Sequence, residues 1–303
     1  MVRDYAFSNT PREHFTSTLD EYLRRSRQSV DVKRWARIQV EGFNAARSDD
    51  VSAEFLKREA DAAEKIDVDR TFRILEGYDA ISLALLRAIP DSENVIRLNC
   101  VVKRIEWRRG KAQVEFQSIF ERGAPVVTCR RLVVTVPLGV LQAKPYARGA
   151  IQFDPEPRRI FTAARSLRFG HAYRVTFRFP YAFWEDEEKL QRAGFLVSRE
   201  KQFLTWWTTH PVLSPLLTAW TAGSAAESLK VQDPAKIAAL ALASLRRILK
   251  RTIPVPDAFY FHNWREDPFS RGAYSYAPVG AVPARKVFAT PDADTLIQRA
   301  AGK

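Results

Sequence analysis

The stretch 262–280, HNWREDPFSRGAYSYAPVG, gathers Trp264, Phe269, Tyr274 and Tyr276 within thirteen residues. An Asp-Pro turn precedes the tyrosines and a Gly-Ala step leads into them. Flat rings on so loose a backbone either pack into a core or line a flat ligand, since ring faces stack on planar groups and exclude water. The stretch alone leaves both open. The other residues that could carry chemistry are sparse. The four histidines, His14, His171, His210 and His262, show no HxxxH pair or other ligand spacing, so no metal site is expected. Cys100 and Cys129 form no CxxC, and reduced thiols in a cytoplasmic protein are the plain reading. No two of the twelve glycines are two positions apart, so there is no GxG, no GxGxxG and no phosphate-binding loop. A dinucleotide fold uses such a glycine turn to set pyrophosphate on a helix N-terminus. A GxSxG nucleophile elbow is also absent.

The elements that must position these residues change character along the chain. Residues 11–89 have helical periodicity. PREHFTSTLDEYLRRSR starts at Thr10 and Pro11, and DVKRWARIQVEGFNAAR presents Trp35, Ile38 and Phe43 on one face. SAEFLKREADAAEK follows with Ser52 as N-cap, then YDAISLALLRAI over 78–89, stopped by Pro90. The period then falls to two. NVIRLNCVVKRIEWRRGKAQVEFQS alternates on both sides of RRGK, which predicts a hairpin. RRLVVTVPLGVL over 130–141 begins as a buried strand and breaks at Pro137-Leu138-Gly139. Strands are predicted at 174–184, 202–210 and 216–223, and a long helix over 233–251 with Asp233 as cap and Pro234 in its first turn. The class is mixed α/β or α+β with two interleaved domains.

The chain has 303 residues, 46% of them hydrophobic, enough for a sizeable core. The N-terminal MVRDYAFSNT lacks the apolar stretch of a signal peptide, and IAALALASL, the longest apolar run, is too short to span a bilayer. No membrane partner is expected. The net charge of +13 invites an acidic partner, and basic runs stand out at RRSR, KRIEWRRGK, CRRL and RRILKR. They are spread along the whole chain at element ends and on helix faces, so the footprint alone does not point to nucleic acid.

Taken in order, these segments resemble the flavin-containing amine oxidases, the family of monoamine oxidases, polyamine oxidases and flavin-dependent histone demethylases. The segments are VEGFNAARSDDVS, FRILEGYDAISLALL, IRLNCVVKRIEW, RRLVVTVPLGVLQ, residues 151–184, LLTAWTAGSAAESL and WREDPFSRGAYSYAPVG, and together they run from about residue 12 to 297. The resemblance implies FAD, a small-molecule amine as substrate, oxidation of its C–N bond by hydride transfer to flavin N5, and oxygen as acceptor. It implies a partial Rossmann-like FAD domain from 71–142 and 262–303, interleaved with a substrate domain from 1–70 and 143–261. Val102, Thr135, Pro137, Leu138, Trp264 and Tyr274 would border the cofactor. Tyr274 and Phe269 would meet the substrate. Tyr274 and Arg174 would face the reacting centre.

Four departures qualify these expectations. The family's opening GxGxxG unit and its closing F-A-G-E-A-T segment have no counterpart here, so the chain reads as truncated at both ends. Arg174 stands where many members carry a lysine, four residues after Gly170. Glu76 replaces a family glycine. This chain alone is therefore expected to bind FAD weakly or not at all and to lack activity. Two alternatives stay open: a non-catalytic remnant or subunit completed by a second chain that supplies the missing FAD-binding segments, and a basic module for nucleic acid or an acidic partner.

Overall fold

The computed structural model describes residues 16–66, 72–120, 122–289 and the backbone of 297–298. Helix α1, Leu19–Arg25, opens on a capping box in which Thr18 and Glu21 satisfy each other's backbone N–H. The start expected at Thr10 and Pro11 lies outside the described residues. Helix α2, Val30–Asn44, is capped by Ser29 and ends on Ala45 in the left-handed region. It buries Ala36 and Val40, whereas Phe43 of the expected face is 56% exposed. The reason is proximity, because the helix end lies against the backbone of residue 170. Only small side chains fit beneath a helix that close, and the larger ones are pushed to its rim. Helix α3, Ala53–Ala63, is capped by Ser52 as the sequence predicts.

Helices α4, Asp79–Arg87, and α5, Ser92–Val95, bury no side chain, and their flanks leave Leu75, Tyr78, Leu85 and Leu98 largely exposed. The hairpin at RRGK forms as predicted, from β1, Cys100–Arg108, and β2, Lys111–Ser118, with Gly110 at φ 80° in the turn. Then come β3, Val126–Cys129, and β4, Leu132–Val133. The predicted buried strand at 130–136 is thus two residues long, with Val133 exposed and Val134 buried. Pro137 has no N–H for a ladder and instead starts α6, Leu138–Leu141. Next are β5, Gln152–Asp154; α7, Arg158–Ser166; β6, Arg168–Gly170; and β7, Ala172–Arg178. After a 3-10 turn at Phe183–Asp186 follow β8, Phe195–Val197; β9, Thr205–Trp207; and β10, Leu216–Ala222. The remainder is α8, Gly223–Glu227; α9, Pro234–Leu249; β11, Ala258–Phe261; β12, Tyr274–Tyr276; α10, Ala284–Ala289; and β13, Ile297–Gln298.

The strands make a sheet in the order β3-β2-β1-β5, a five-stranded antiparallel sheet in the order β11-β7-β10-β9-β8, and two pairs, β12-β6 and β13-β4, the latter parallel. The fold is mixed α/β. One core lies between the five-stranded sheet and α9, where Val175, Phe177, Trp206 and Leu217 meet Ile237 and Leu245. The other joins α1, α2 and α3 to α6, α7 and the segment after β12, through Leu19, Phe55, Leu138, Ala164 and Tyr276. Each strand of the five-stranded sheet packs one face on α9, so the alternate residues form a second face left for other work.

Candidate functional site

That second face is aromatic. Alternation along β7 buries Tyr173, Val175 and Phe177 and turns Arg174 out. The β7–β10 register sets Arg174 directly opposite Trp220, and the β10–β9 register sets Trp207 beside Thr218. The rings run in a row. Phe195 lies 6.2 Å from Trp207, Trp207 lies 5.7 Å from Trp220, and Trp220 lies 6.1 Å from Tyr274, centroid to centroid. The indole N–H of Trp220 donates to the carbonyl of Gly42 at 2.7 Å, which ties the row to α2.

Tyr274 enters through β12, paired with Gly170 of β6 and half-exposed. The backbone N–H of Ala273 donates to Gly170 O at 2.8 Å, and that of Gly272 to Trp264 O at 3.0 Å. Trp264 is therefore laced to the same ladder, with its half-exposed ring 4.3 Å from His262, which bonds Asp267 at 2.9 Å. The segment at Pro137-Leu138-Gly139 abuts this ladder. A Cβ on Gly139 would stand 2.6 Å from Ser270 O and 2.7 Å from Arg271 Cβ. Leu138 itself is buried in the core, so only its backbone can face a ligand here. Thr135 is exposed at the end of the same segment. Val102 sits apart, in a small cluster with Ile105 and Val134 on the four-stranded sheet. Phe269 lies against Gly149, where a Cβ would be 3.2 Å from its ring, and not in the ring row. Tyr274 and Arg174 thus meet at Trp220, Trp264 is tied to the Tyr274 ladder through its carbonyl, the Pro137–Gly139 backbone abuts that ladder, and Val102 and Phe269 stand off.

Sequence reasoning missed Trp220, Trp207 and His171. Strand alternation could have found the first two, since adjacent Trp206 and Trp207 must point to opposite faces. His171 follows Gly170, and its ring is held neutral, with a pKa lowered to about 4 chiefly by burial and secondarily by the charge of Arg265. Among the described residues its Nδ1 has no hydrogen-bond partner, and the same holds for Thr221 Oγ1 and Arg271 Nε. These residues follow or precede Gly170, Trp220 and Gly272 in sequence, but alternation turns Thr221 to the core face of β10, away from Trp220, and the Arg271 guanidinium donates to Arg148 O at 2.6 Å.

A scan against protein-family models matches residues 7–294 to the flavin-containing amine oxidoreductases. The chain belongs to this family. Its cofactor is FAD. Among curated relatives, "Possible lysine-specific histone demethylase 1" of Drosophila melanogaster is 30% identical over 258 residues, covering 82% of this chain and 28% of that protein. Among solved structures, putrescine oxidase bound to putrescine superposes with a TM-score of 0.77 at 20% identity, over 98% of this chain and 66% of that one. Cyclohexylamine oxidase from Brevibacterium oxydans gives 0.74 at 19% identity, over 99% and 66%. The chain therefore spans about two thirds of these solved oxidases and a smaller share of the curated relative. Of FAD's two halves, the residues here fit the flavin ring, through the half-exposed rings of Trp264 and Tyr274 held on one hydrogen-bonded ladder. The pyrophosphate half finds no glycine turn in this sequence. Among the described residues no cluster of three metal-binding side chains occurs, and no helix is long and apolar enough to cross a membrane.

Proposed function

We infer that this chain forms the substrate wall and part of the flavin wall of an FAD-dependent amine oxidase that acts on the C–N bond of a small amine, with oxygen as acceptor. The open ring row from Tyr274 through Trp220 to Trp207, with Arg174 opposite Trp220, carries this reading in a chain of this family. Bound FAD would supply the acceptor for the hydride equivalent that leaves the carbon beside nitrogen. The chain's own contribution is to hold and condition the amine. Trp264 and Tyr274, with the backbone of 135–139, would border the flavin ring, and Val102 its adenine end. The rings exclude water and orient the C–H bond. Burial among them disfavours an ammonium, and the fixed cation of Arg174 disfavours it further, so the amine docks neutral. Arg cannot lose its proton, unlike the lysine of many members, so Arg174 acts as a charge and hydrogen-bond donor and never as a base.

The five-stranded sheet and α9 lie wholly within 143–261, which supports assigning that stretch and 1–70 to the substrate domain, and 71–142 and 262–303 to the FAD domain. A second reading, in which a further segment or a second chain completes the FAD site, rests on the exposed apolar side chains around α4 and on the two-residue β4–β13 pair. Parallel sheets are normally broader and covered on both faces. Free Cys100 and Cys129 favour the cytoplasm.

The test is a flavin titration of the purified chain followed by desalting and a visible spectrum. A retained flavin band, weakened about tenfold in affinity by Trp264→Leu or Tyr274→Leu and bleached by an amine without oxygen, supports the reading, since each ring contact is worth about 1 kcal/mol or more. Flavin bound equally by wild type and both variants would overturn the assignment of these rings.

A further inference from the structure

Two of the basic runs in the sequence, KRIEWRRGK and CRRL, lie far apart in the chain, yet the fold joins them. The β1–β2 register sets Arg108 directly opposite Lys111, with Arg109 in the turn between. The β2–β3 register sets Ala112 opposite Cys129, so Arg130 and Arg131 leave β3 beside Lys111. Like charges directly across a ladder destabilise a sheet. Five cations are nevertheless gathered at one sheet end, all exposed except the half-buried Lys111. Among the described residues none of the five has an ion pair. The nearby carboxylates are engaged elsewhere or lie further in. Arg104 holds Glu106 and Asp154, each at 2.8 Å, Arg165 holds Glu156 at 3.2 Å, and Glu115 faces Arg104 across the ladder.

We propose that this end of the four-stranded sheet binds the phosphate backbone of nucleic acid. Strands spaced about 4.8 Å apart bring Arg108, Lys111 and Arg130 within roughly 10 Å of one another. A duplex presents one negative charge per about 1.7 Å of its axis, so several phosphates fall within that reach. No large apolar side chain stands among the five cations, and the exposed Val126 and Val127 lie at the other end of β3. Trp107 is turned to the sheet's other side, where its indole N–H bonds Pro155 O at 2.8 Å, and exposed Ile119 and Phe120 follow the far end of β2. A strongly positive, polar surface is what nucleic-acid interfaces use, and arginine forks match phosphate oxygens bidentately. This inference is independent of the oxidase reading.

The experiment is fluorescence anisotropy of a labelled DNA duplex titrated with the full chain at several salt concentrations. With four to five phosphate contacts, affinity should fall on the order of 100-fold between about 50 and 200 mM salt. The triple variant R108E/K111E/R130E should lose binding at low salt and flatten the salt slope, while R24E/R25E on α1 should bind within about twofold of wild type. The neutralising double variant R130Q/R131Q should also weaken binding and lower the slope, which keeps the test valid if the triple variant melts. Wild-type binding without salt dependence, a triple variant that binds as well as wild type, or an acidic peptide that binds as tightly as the duplex would each overturn the proposal.

Discussion

Gly170 is where the ring row depends on a close approach of two backbones. It lies in β6, opposite Tyr274, and a Cβ there would press on the carbonyl oxygen of Ala45, with Ala45 C at 2.8 Å and its Cβ at 3.1 Å. Neither side can yield cheaply, because Ala45 ends α2 in the left-handed region at φ 51° and is buried. Overpacking of this kind costs about 1–3 kcal/mol, and backbone against backbone belongs at the upper end. Alanine recovers about 0.5–1 kcal/mol by restricting the unfolded chain, so Gly170→Ala should lose about 2 kcal/mol. At about 2–4 °C per kcal/mol, the melting temperature should fall by roughly 4–8 °C. Gly42→Ala is the internal control. It sits in the last turn of α2 near the same junction, nothing lies within 4 Å of its added Cβ, and a Gly-to-Ala change there should gain about 0.5 kcal/mol, less than in a helix interior. Thermal melts by circular dichroism read both. A Gly170→Ala protein that melts within about 2 °C of wild type would refute the claim that contact between α2 and β6 fixes the row, since the predicted cost would be absent.

Three further outcomes can be checked. The neutral His171 makes stability pH-dependent: its pKa falls from 6.5 to about 4 on folding, so the unfolded chain takes up the proton first as pH drops. Stability present above pH 6.5 is lost as pH falls towards 4, and because the ring is only partly shielded from solvent the loss should be about 1–2 kcal/mol. His171→Leu should flatten the denaturation midpoint against pH across that window, and an unchanged slope would contradict it. Tyr276→Phe removes the 3.0 Å hydrogen bond to Asp50, which keeps Arg168 at 3.2 Å, and should cost about 1.5 kcal/mol by urea denaturation. Asp233→Ala removes the cap that accepts from Ala235 and Lys236 N–H, and should cost about 1 kcal/mol in the same assay, with less helical ellipticity.

The sequence was most legible where local chemistry decides the outcome. Ser52 and Asp233 cap their helices as predicted, and RRGK turns the hairpin, because caps and tight turns depend on a few neighbouring residues. It was least legible where distant segments meet. The face of α2 was misjudged because the closeness of Gly170 to Ala45 cannot be seen from either segment alone. The row from Phe195 to Tyr274 needs the register of several strands before its rings line up. Within the segment at 262–280, Tyr276 is a core residue and Tyr274 an open one although i and i+2 share a face of a strand, so what packs over each position, and not the local pattern, makes the division. The resemblance named Tyr274 and Arg174, which meet at one ring, and Trp264, which is tied to the same ladder by its backbone. It did not name Trp220, which stands opposite Arg174 and beside Tyr274.

The parallel pair formed by Leu132 and Val133 with Ile297 and Gln298 sets a timetable for the chain's birth. Its two halves lie more than half the chain apart in sequence, whereas β1 and β2 meet across a tight turn and the strands of the five-stranded sheet all fall between 172 and 261. Contacts between such distant segments carry the largest loop-closure cost and form late. As the polypeptide leaves the ribosome, the hairpin and then the five-stranded sheet can close, while β4 waits with an open edge for a partner not yet synthesised. Through that interval the free edge and the apolar side chains around α4 are what the cell's chaperones would meet first.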